Sequence, residues 1–336
     1  MRINNLINEL IKNEQDAFLI TNMKNIRYLT GFTGDTGKLL ITPKEQYLIV
    51  DGRFTEQAEK ECSIEVVDYE KSFIKTIKKL LDSQNVKKCA FEGNNVTFNE
   101  FDALRKHLES IELISDDTTI ETLRMKKDRE EIEKVKQALK IALDTFEKIK
   151  TSVVPGVTEK EVATEIEYMM KRKGAEGNAF ETIVASGKRS SLPHGTPTDK
   201  KIEFGDAVVI DMGAIYEGYC SDITRTIFVG DMTKEQEKVY EIVEKAQQKA
   251  MDAIKAGVNC SEPHDVVVRE FSKDNLAEYF VHALGHGVGM DVHERPFLSP
   301  KSSDVFEPGM IVTVEPGIYL PNKFGIRIED MVMLED

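Results

Sequence analysis

Two aspartates stand inside otherwise apolar β-type sequence between Ile202 and Gly230, IEFGDAVVIDMGAIYEGYCSDITRTIFVG, and they restrict the possible folds more than any other feature. The runs 207–212 and 219–229 are rich in Val, Ile, Tyr and Thr and meet across Glu217-Gly218. That is the pattern of a β-hairpin. Asp211 and Asp222 each occupy a position where an apolar residue is expected. A turn centred between Tyr216 and Glu217 makes them direct cross-strand partners. A turn at Glu217-Gly218 instead pairs Asp211 with Thr224 and leaves Asp222 two residues away on the same face. Either register aims both carboxylates at one point. Like charges facing each other in a sheet are destabilising, so a cation is expected between them, and a metal ion is the economical candidate.

A second acidic hairpin closes the chain. MIVTVEPGIY (310–319) and IRIEDMVM (326–333) flank the loop 320–325, and a loop centred on Asn322 places Glu315 opposite Glu329. Between the hairpins, HALGHGVGMDVHERP carries His282, His286 and His293, half of the six histidines. Gly285, Gly287 and Gly289 leave little side-chain bulk around His286, which suits close packing against a metal centre. His194, in SSLPHGTP, is a fourth candidate, whereas His107 and His264 are expected on the surfaces of helices.

Four carboxylates converging without compensation raise each other's pKa and cost on the order of several kcal/mol each on burial. Two divalent cations remove that conflict. Four carboxylates and one imidazole provide donors for two metals about 3.5–4 Å apart with a shared water or hydroxide. Oxygen-rich ligation with a single nitrogen favours Mn2+, with Co2+ and Fe2+ close behind and Zn2+ less typical. Such a pair lowers the pKa of the bridging water, creating a nucleophile at neutral pH, and polarises a carbonyl. Taken singly, each residue has a blander reading. An aspartate in a strand is more often a turn or edge residue, Glu329 could pair with Arg327 or a surface lysine, and His286 could be a core histidine. Two hairpins with matched acidic pairs argue against independent accidents. His194, His282 and His293 read as contacts to a substrate.

The rest of the chain supplies the frame. Its 336 residues suggest two domains or one large one. Residues 1 to about 120 alternate strand and helix patterns on α/β spacing: a first helix before residue 17, strands at 17–20, 37–42, 46–51, 64–67, 89–91 and 111–114, and helices at 54–61, 73–81 and 98–108. GFTGDTGKLL invites a phosphate-loop reading, but Gly31 to Gly37 is one residue too long and Leu39 stands where Ser or Thr is needed. A turn before a strand, or a loop shaping a partner's site, replaces it. The polar run 116–127 marks the boundary, dividing the chain into 1–122 and 123–336. Capping boxes at Asp128/Glu131, Thr158/Glu161 and Thr233/Gln236 then open three helices, and Ser261 with Pro263 opens a fourth. The order of two helices and a hairpin, repeated, suggests a coarse duplication. A formal net charge of −14 argues against nucleic acid as a partner. Four scattered cysteines, no signal peptide and no stretch long enough to span a membrane point to a cytoplasmic protein with reduced thiols.

The segments VIDMGAIYEGYCSDITRT, HALGHGVGMDVHE, MIVTVEPGIY and IRIEDMV, together with ETIVASGKRSSLPHGTP, strongly resemble the Xaa-Pro peptidases, prolidase and aminopeptidase P, of the creatinase/methionine aminopeptidase or pita-bread superfamily. The resemblance implies an α+β fold, with a creatinase-type α/β N-terminal domain preceding a pita-bread catalytic domain. It implies metal ligands at Asp211, Asp222, His286, Glu315 and Glu329, and substrate or proton-handling roles for His194, His282 and His293, with Arg327 supporting the site. It further implies a cytosolic two-metal enzyme, a homodimer, that cleaves peptides with proline at the second position, with Glu315 as proton shuttle. Methionine aminopeptidases share the five ligands but generally lack the N-terminal domain. Two departures stand out. Phe297 occupies the place where prolidases of this group often carry an arginine for the dipeptide carboxylate, with Arg295 two residues earlier. The chain also ends at MVMLED, where relatives usually continue by a further strand, so either the chain is shortened or the sheet edge is completed differently. The competing expectations are a pita-bread binding protein without activity and a creatinase-like hydrolase of C–N bonds in a small molecule. Both are disfavoured because all five ligand positions are kept.

Overall fold

The computed structural model describes residues 2–69 and 72–335. Asp336, the last residue of the MVMLED segment, lies outside them. The chain divides into two units, Met1–Arg124 and Met125–Asp336.

In the first unit the elements run α1 (Arg2–Lys12), β1 (Ala17–Ile20), α2 (Met23–Thr30), β2 (Lys38–Ile41), β3 (Gln46–Val50), α3 (Thr55–Glu61), β4 (Glu65–Asp68), α4 (Phe73–Ser83), β5 (Lys88–Phe91), α5 (Phe98–His107), β6 (Glu112–Ser115) and α6 (Thr119–Met125). They build one mixed six-stranded sheet in the order β4-β3-β2-β1-β5-β6. Strands β1 to β3 pair antiparallel, and the outer pairs are parallel. The central strand AFLI is buried along its whole length, as a strand covered on both faces must be. Two short helices depart from the sequence expectation. Helix α2 starts at the Asn22 cap and stops at Gly31, whose φ of +82° is left-handed. Helix α6 lies inside the polar run read as a boundary and buries Ile120. Both are too short for a helical period to stand out in sequence.

The second unit contains α7 (Arg129–Ile149), α8 (Glu159–Arg172), β7 (Gly177–Asn178), β8 (Ile183–Ser186), β9 (Ala207–Met212), β10 (Ala214–Tyr216), β11 (Tyr219–Cys220), β12 (Ile223–Phe228), α9 (Lys234–Ala253), α10 (Glu262–Ser272), β13 (Gly285–Gly287), β14 (Glu294–Leu298), β15 (Ile311–Val314), β16 (Gly317–Leu320), β17 (Phe324–Arg327) and β18 (Asp330–Met333). All three capping boxes form, opening α7, α8 and α9. Ser261 makes no side-chain cap to α10, which begins with Pro263 in its first turn. Two cores result. One packs α7 and α8 on the strands β8, β9 and β12, through Ile141, Phe146, Ile166 and Val208. The other packs α9 and α10 on the final strands, through Val243, Phe271, Val312 and Ile326. Each helix pair thus covers its own hairpin, as the repeated order in sequence suggests. No described helix is long and apolar enough to cross a membrane.

Both hairpins share one construction. In the first, β9 pairs with β12 and β10 with β11, and a break separates the two ladders. In the second, β15 pairs with β18 and β16 with β17 across a similar break. Asp222, Glu315 and Glu329 sit in these breaks, and Asp211 is one residue from the end of β9. Residues freed from the regular ladder can turn their side chains inward, which brings Asp222, Glu315 and Glu329 to the cleft that Asp211 faces from within β9.

Candidate metal centre

The turn Glu217-Gly218 decides between the two registers of the first hairpin. Both residues have positive φ, +47° and +83°, as a two-residue type I′ turn requires. Asp211 therefore lies opposite Thr224, not Asp222. In the second hairpin Val314 faces Asp330 and Gly317 faces Arg327, so Glu315 and Glu329 oppose each other as the sequence suggested. The hairpins are stitched together where the acids sit: the Glu329 amide donates to the Thr224 carbonyl at 3.0 Å, and the Arg327 amide to Thr226 Oγ1 at 3.1 Å.

His286 enters from β13. The glycines around it answer to backbone crowding more than to space for a metal. A Cβ on Gly285 would collide with the Thr313 carbonyl, and one on Gly287 with the Arg295 carbonyl, because β13 is squeezed between β14 and β15. His286 Nε2 lies 3.4 Å from Glu315 Oε1 and 3.7 Å from Asp222 Oδ2. Asp222, His286 and Glu329 each bring a donor atom to within 4.8 Å of the others, close enough to hold one ion. Asp211 and Glu315 line the same cleft, of about 440 Å³, with His194, His282, His293, Arg327 and Phe297.

The electrostatics leave negative charge without a partner. Burial, then the charges of Glu329 and Asp211, push Asp222 well above the carboxylate range. Burial, then Glu315 and Asp211, do the same to Glu329. Burial also raises Asp211, although Arg327 pulls the other way. Glu315 is the exception: burial opposes it, but the hydrogen bond and charge of His286 hold it below its usual value. Asp211 Oδ1 and Glu329 Oε1 are buried without a hydrogen-bond partner, a costly state unless something else fills the coordination. The donor set, the orphaned oxygens and the raised carboxylates all fit divalent cations.

Arg327 organises this cluster. It donates to Asp211 Oδ2 at 2.6 Å, to Thr224 Oγ1 at 3.0 Å, to Tyr319 Oη at 2.8 Å and to the Pro193 carbonyl at 3.0 Å. Thr224 in turn donates to Glu329 Oε2 at 2.7 Å. Tyr319, its phenol pushed up to about 12 by burial, lies 2.9 Å from His282 Nε2, and His282 Nδ1 is 2.7 Å from the Ala283 carbonyl. Nδ1 beside a carbonyl must carry the proton, so Tyr319 donates to Nε2 and both nitrogens of a neutral His282 are occupied. Burial lowers the pKa of His282 and of His293. Neither His194 nor His293 has a side-chain hydrogen bond among the described residues.

Tyr319 and Thr224 were missed in sequence. Tyr319 closes an apolar strand where an aromatic residue is unremarkable, and the only signal for Thr224 was its place opposite Asp211. His264 is a correction: it is 8% exposed and covered by the ring of Phe280, 5.3 Å away, instead of lying on a helix surface. Arg295 also differs from a free anchor, being paired with Asp304 at 2.5 Å.

Residues 133–336 match the profile of metallopeptidase family M24. The chain belongs to that family. Residues 2–126 match the creatinase/prolidase N-terminal domain. An Xaa-Pro dipeptidase of Pyrococcus horikoshii is 38% identical over 336 residues, covering 99% of this chain and 94% of its own length. Among solved structures, an Xaa-Pro dipeptidase from Bacillus anthracis superposes with a TM-score of 0.97 at 40% identity, over 99% of this chain and 94% of that one. An X-Pro aminopeptidase from Thermotoga maritima does so at 0.92 and 41%, over 100% and 96%. This M24 metallopeptidase therefore has the α+β architecture expected, a creatinase-type domain followed by a pita-bread catalytic domain.

Proposed function

We propose that this metallopeptidase hydrolyses the bond between an N-terminal residue and proline, using two divalent cations held by Asp211, Asp222, His286, Glu315 and Glu329. The observation that carries the reading is the set of unpartnered buried oxygens, Asp211 Oδ1 and Glu329 Oε1, at a cleft that His286 and Asp222 share. The names of relatives matched over nearly the whole chain support the choice of substrate. Bound there, the cations supply Lewis acidity and a water acidic enough to lose its proton near neutral pH. Manganese suits the oxygen-rich donor set.

The side chains divide the remaining work. Glu315, as a carboxylate beside bound cations, would be ionised at neutral pH and can accept a proton from the attacking water and pass it to the leaving nitrogen. His293 and His194, on the cleft wall without hydrogen-bond partners, are placed to donate to the scissile carbonyl or the peptide backbone. His282 acts through Tyr319 and Arg327, keeping the guanidinium aimed at Asp211. A proline amide has no N–H, so selection for it must come from shape, and Phe180, Ile183 and Pro193 give the cleft an apolar side.

Peptide length follows from the walls of the cleft. Arg327 is the one arginine or lysine lining it among the described residues, and its guanidinium is committed to four acceptors. Among the described residues, therefore, no uncommitted arginine or lysine lines the cleft for the carboxylate of a dipeptide, and Phe297 presents an apolar surface instead. The reading is an aminopeptidase that accepts longer peptides, working as a cytoplasmic homodimer. Matched Xaa-Pro and Xaa-Ala peptides of two to five residues test it. Cleavage confined to proline peptides supports the reading, and equal turnover of the alanine series contradicts it.

A further inference from the structure

Glu159 lies outside the cleft, at the first helical position of α8, and is 0% exposed. A carboxylate at that position ordinarily faces solvent and needs nothing beyond the favourable end of the helix dipole. Burying one costs several kcal/mol, on the order of the whole stability of a domain, unless donors surround it. Here they do, and they come from two places in the chain. Oε1 accepts from the Ser186 amide at 2.8 Å and from Ser186 Oγ at 2.9 Å. Oε2 accepts from the Thr198 amide at 3.0 Å and from Thr198 Oγ1 at 2.7 Å. Arg189 Nε reaches both oxygens, at 3.3 and 3.1 Å.

Ser186 and Thr198 are the two ends of the loop that carries Pro193, His194 and Thr196 into the cleft wall. Arg189, bound to Glu159, also donates from Nη2 to the Thr196 carbonyl at 2.7 Å, inside the same loop. One carboxylate therefore draws both ends of the loop to a single point, directly at Ser186 and Thr198 and through Arg189 at Thr196. On its far side the loop is fixed by Arg327, which donates to the Pro193 carbonyl at 3.0 Å. His194 itself makes no side-chain hydrogen bond among the described residues, so its place depends on the backbone that bears it.

We propose that Glu159 is a positioning residue for His194, clamping the 186–198 loop so that the imidazole is held at the substrate. The inference rests on the substrate role given to His194 above. Glutamine cannot replace this carboxylate. In either orientation of the amide its NH2 faces a backbone N–H, that of Ser186 or that of Thr198, and one end of the loop loses its acceptor. A misplacement of about 1 Å at a catalytic group can cost about 100-fold in rate.

The test is a double-mutant cycle on the metal-loaded enzyme with an Xaa-Pro tripeptide. Glu159→Gln should lower kcat by about 10–100-fold and leave bound metal unchanged. In the His194→Ala background the same substitution should alter kcat by no more than about two-fold. Thr198→Val, which removes one of the donors, should behave alike on a smaller scale and serves if Glu159→Gln fails to fold. Amide exchange should quicken across 186–198 in Glu159→Gln while strand 207–212 keeps its protection. If His194→Ala is slow but Glu159→Gln slows both backgrounds equally, Glu159 is merely structural and the proposal falls while the role of His194 stands. If His194→Ala leaves kcat unchanged, the role of His194 fails and the positioning proposal with it.

Discussion

Arg327 Nη2 donates to Asp211 Oδ2 at 2.6 Å, with both side chains buried. The bond takes one oxygen of Asp211 and leaves the other, Oδ1, buried without a partner and available to a cation. The same guanidinium reaches Thr224, which holds Glu329. One arginine thus orients carboxylates from both hairpins. Arg327→Met should lower metal affinity by about 10–100-fold, as loss of such supporting contacts typically does. Arg327→Lys should not restore it, because an ammonium cannot reproduce the planar fork that serves four acceptors. Calorimetric titration with Mn2+ measures both, and wild-type affinity in Arg327→Met would contradict the assignment.

His282 and His286 are four residues apart but are given different work. His286→Ala removes the one nitrogen donor of the proposed set and should lose bound metal as well as turnover. His282→Ala breaks the chain through Tyr319 to Arg327 and should lower kcat by about 10–100-fold, as loss of a supporting contact misplaces the groups it holds, with bound metal near that of the parent at saturating Mn2+. Metal analysis beside kinetics on the two variants separates the roles. Complete loss of metal in His282→Ala would require a coordination sphere with two imidazoles.

The acidic cluster was more legible in the sequence than the groups around it. Acidic residues in apolar strands are conspicuous, and the second hairpin's register followed from the loop around Asn322, whose φ of +60° closes that turn. In the first hairpin two registers survived until the backbone of Glu217 and Gly218 chose between them. The supporting residues left no such trace. Tyr319, Thr224 and Glu159 are ordinary residues for a strand end, a strand and a helix start, and their partners lie far off in sequence. His264 was misplaced for a related reason, since the ring that covers it belongs to Phe280 in the following segment.

Substrate length should follow the walls of the cleft. Arg295, the alternative anchor for a dipeptide carboxylate, is 35% exposed at its side chain but bound to Asp304. Tripeptides with proline second should therefore be cleaved at least as well as Xaa-Pro dipeptides. A strong preference for dipeptides alone would mean that Arg295 or Arg327 leaves its partners to bind substrate.

Stability of the metal-free protein should depend on pH in a direction set by Asp222 and Glu329. Burial first, and neighbouring carboxylates second, raise both in the folded state, so folding favours their protonated forms. That contribution is fully present below the unfolded values of 3.8 and 4.5 and is lost as pH rises through the folded ones. As pH rises above those unfolded values the Tm of chelated protein should fall relative to the metal-loaded form, and the gain in Tm on adding Mn2+ should grow. A metal-induced shift that shrinks with rising pH would reverse the sign and exclude these two carboxylates as the groups responsible.

The most direct measurement is turnover of an Xaa-Pro tripeptide as Mn2+ is returned to fully chelated protein, with bound metal counted at each step. Chelated protein should be inactive, activity should return as the count approaches about two ions per chain, and Asp222→Asn should stay folded yet inactive throughout. Full activity in the chelated sample, or in Asp222→Asn, would contradict the account.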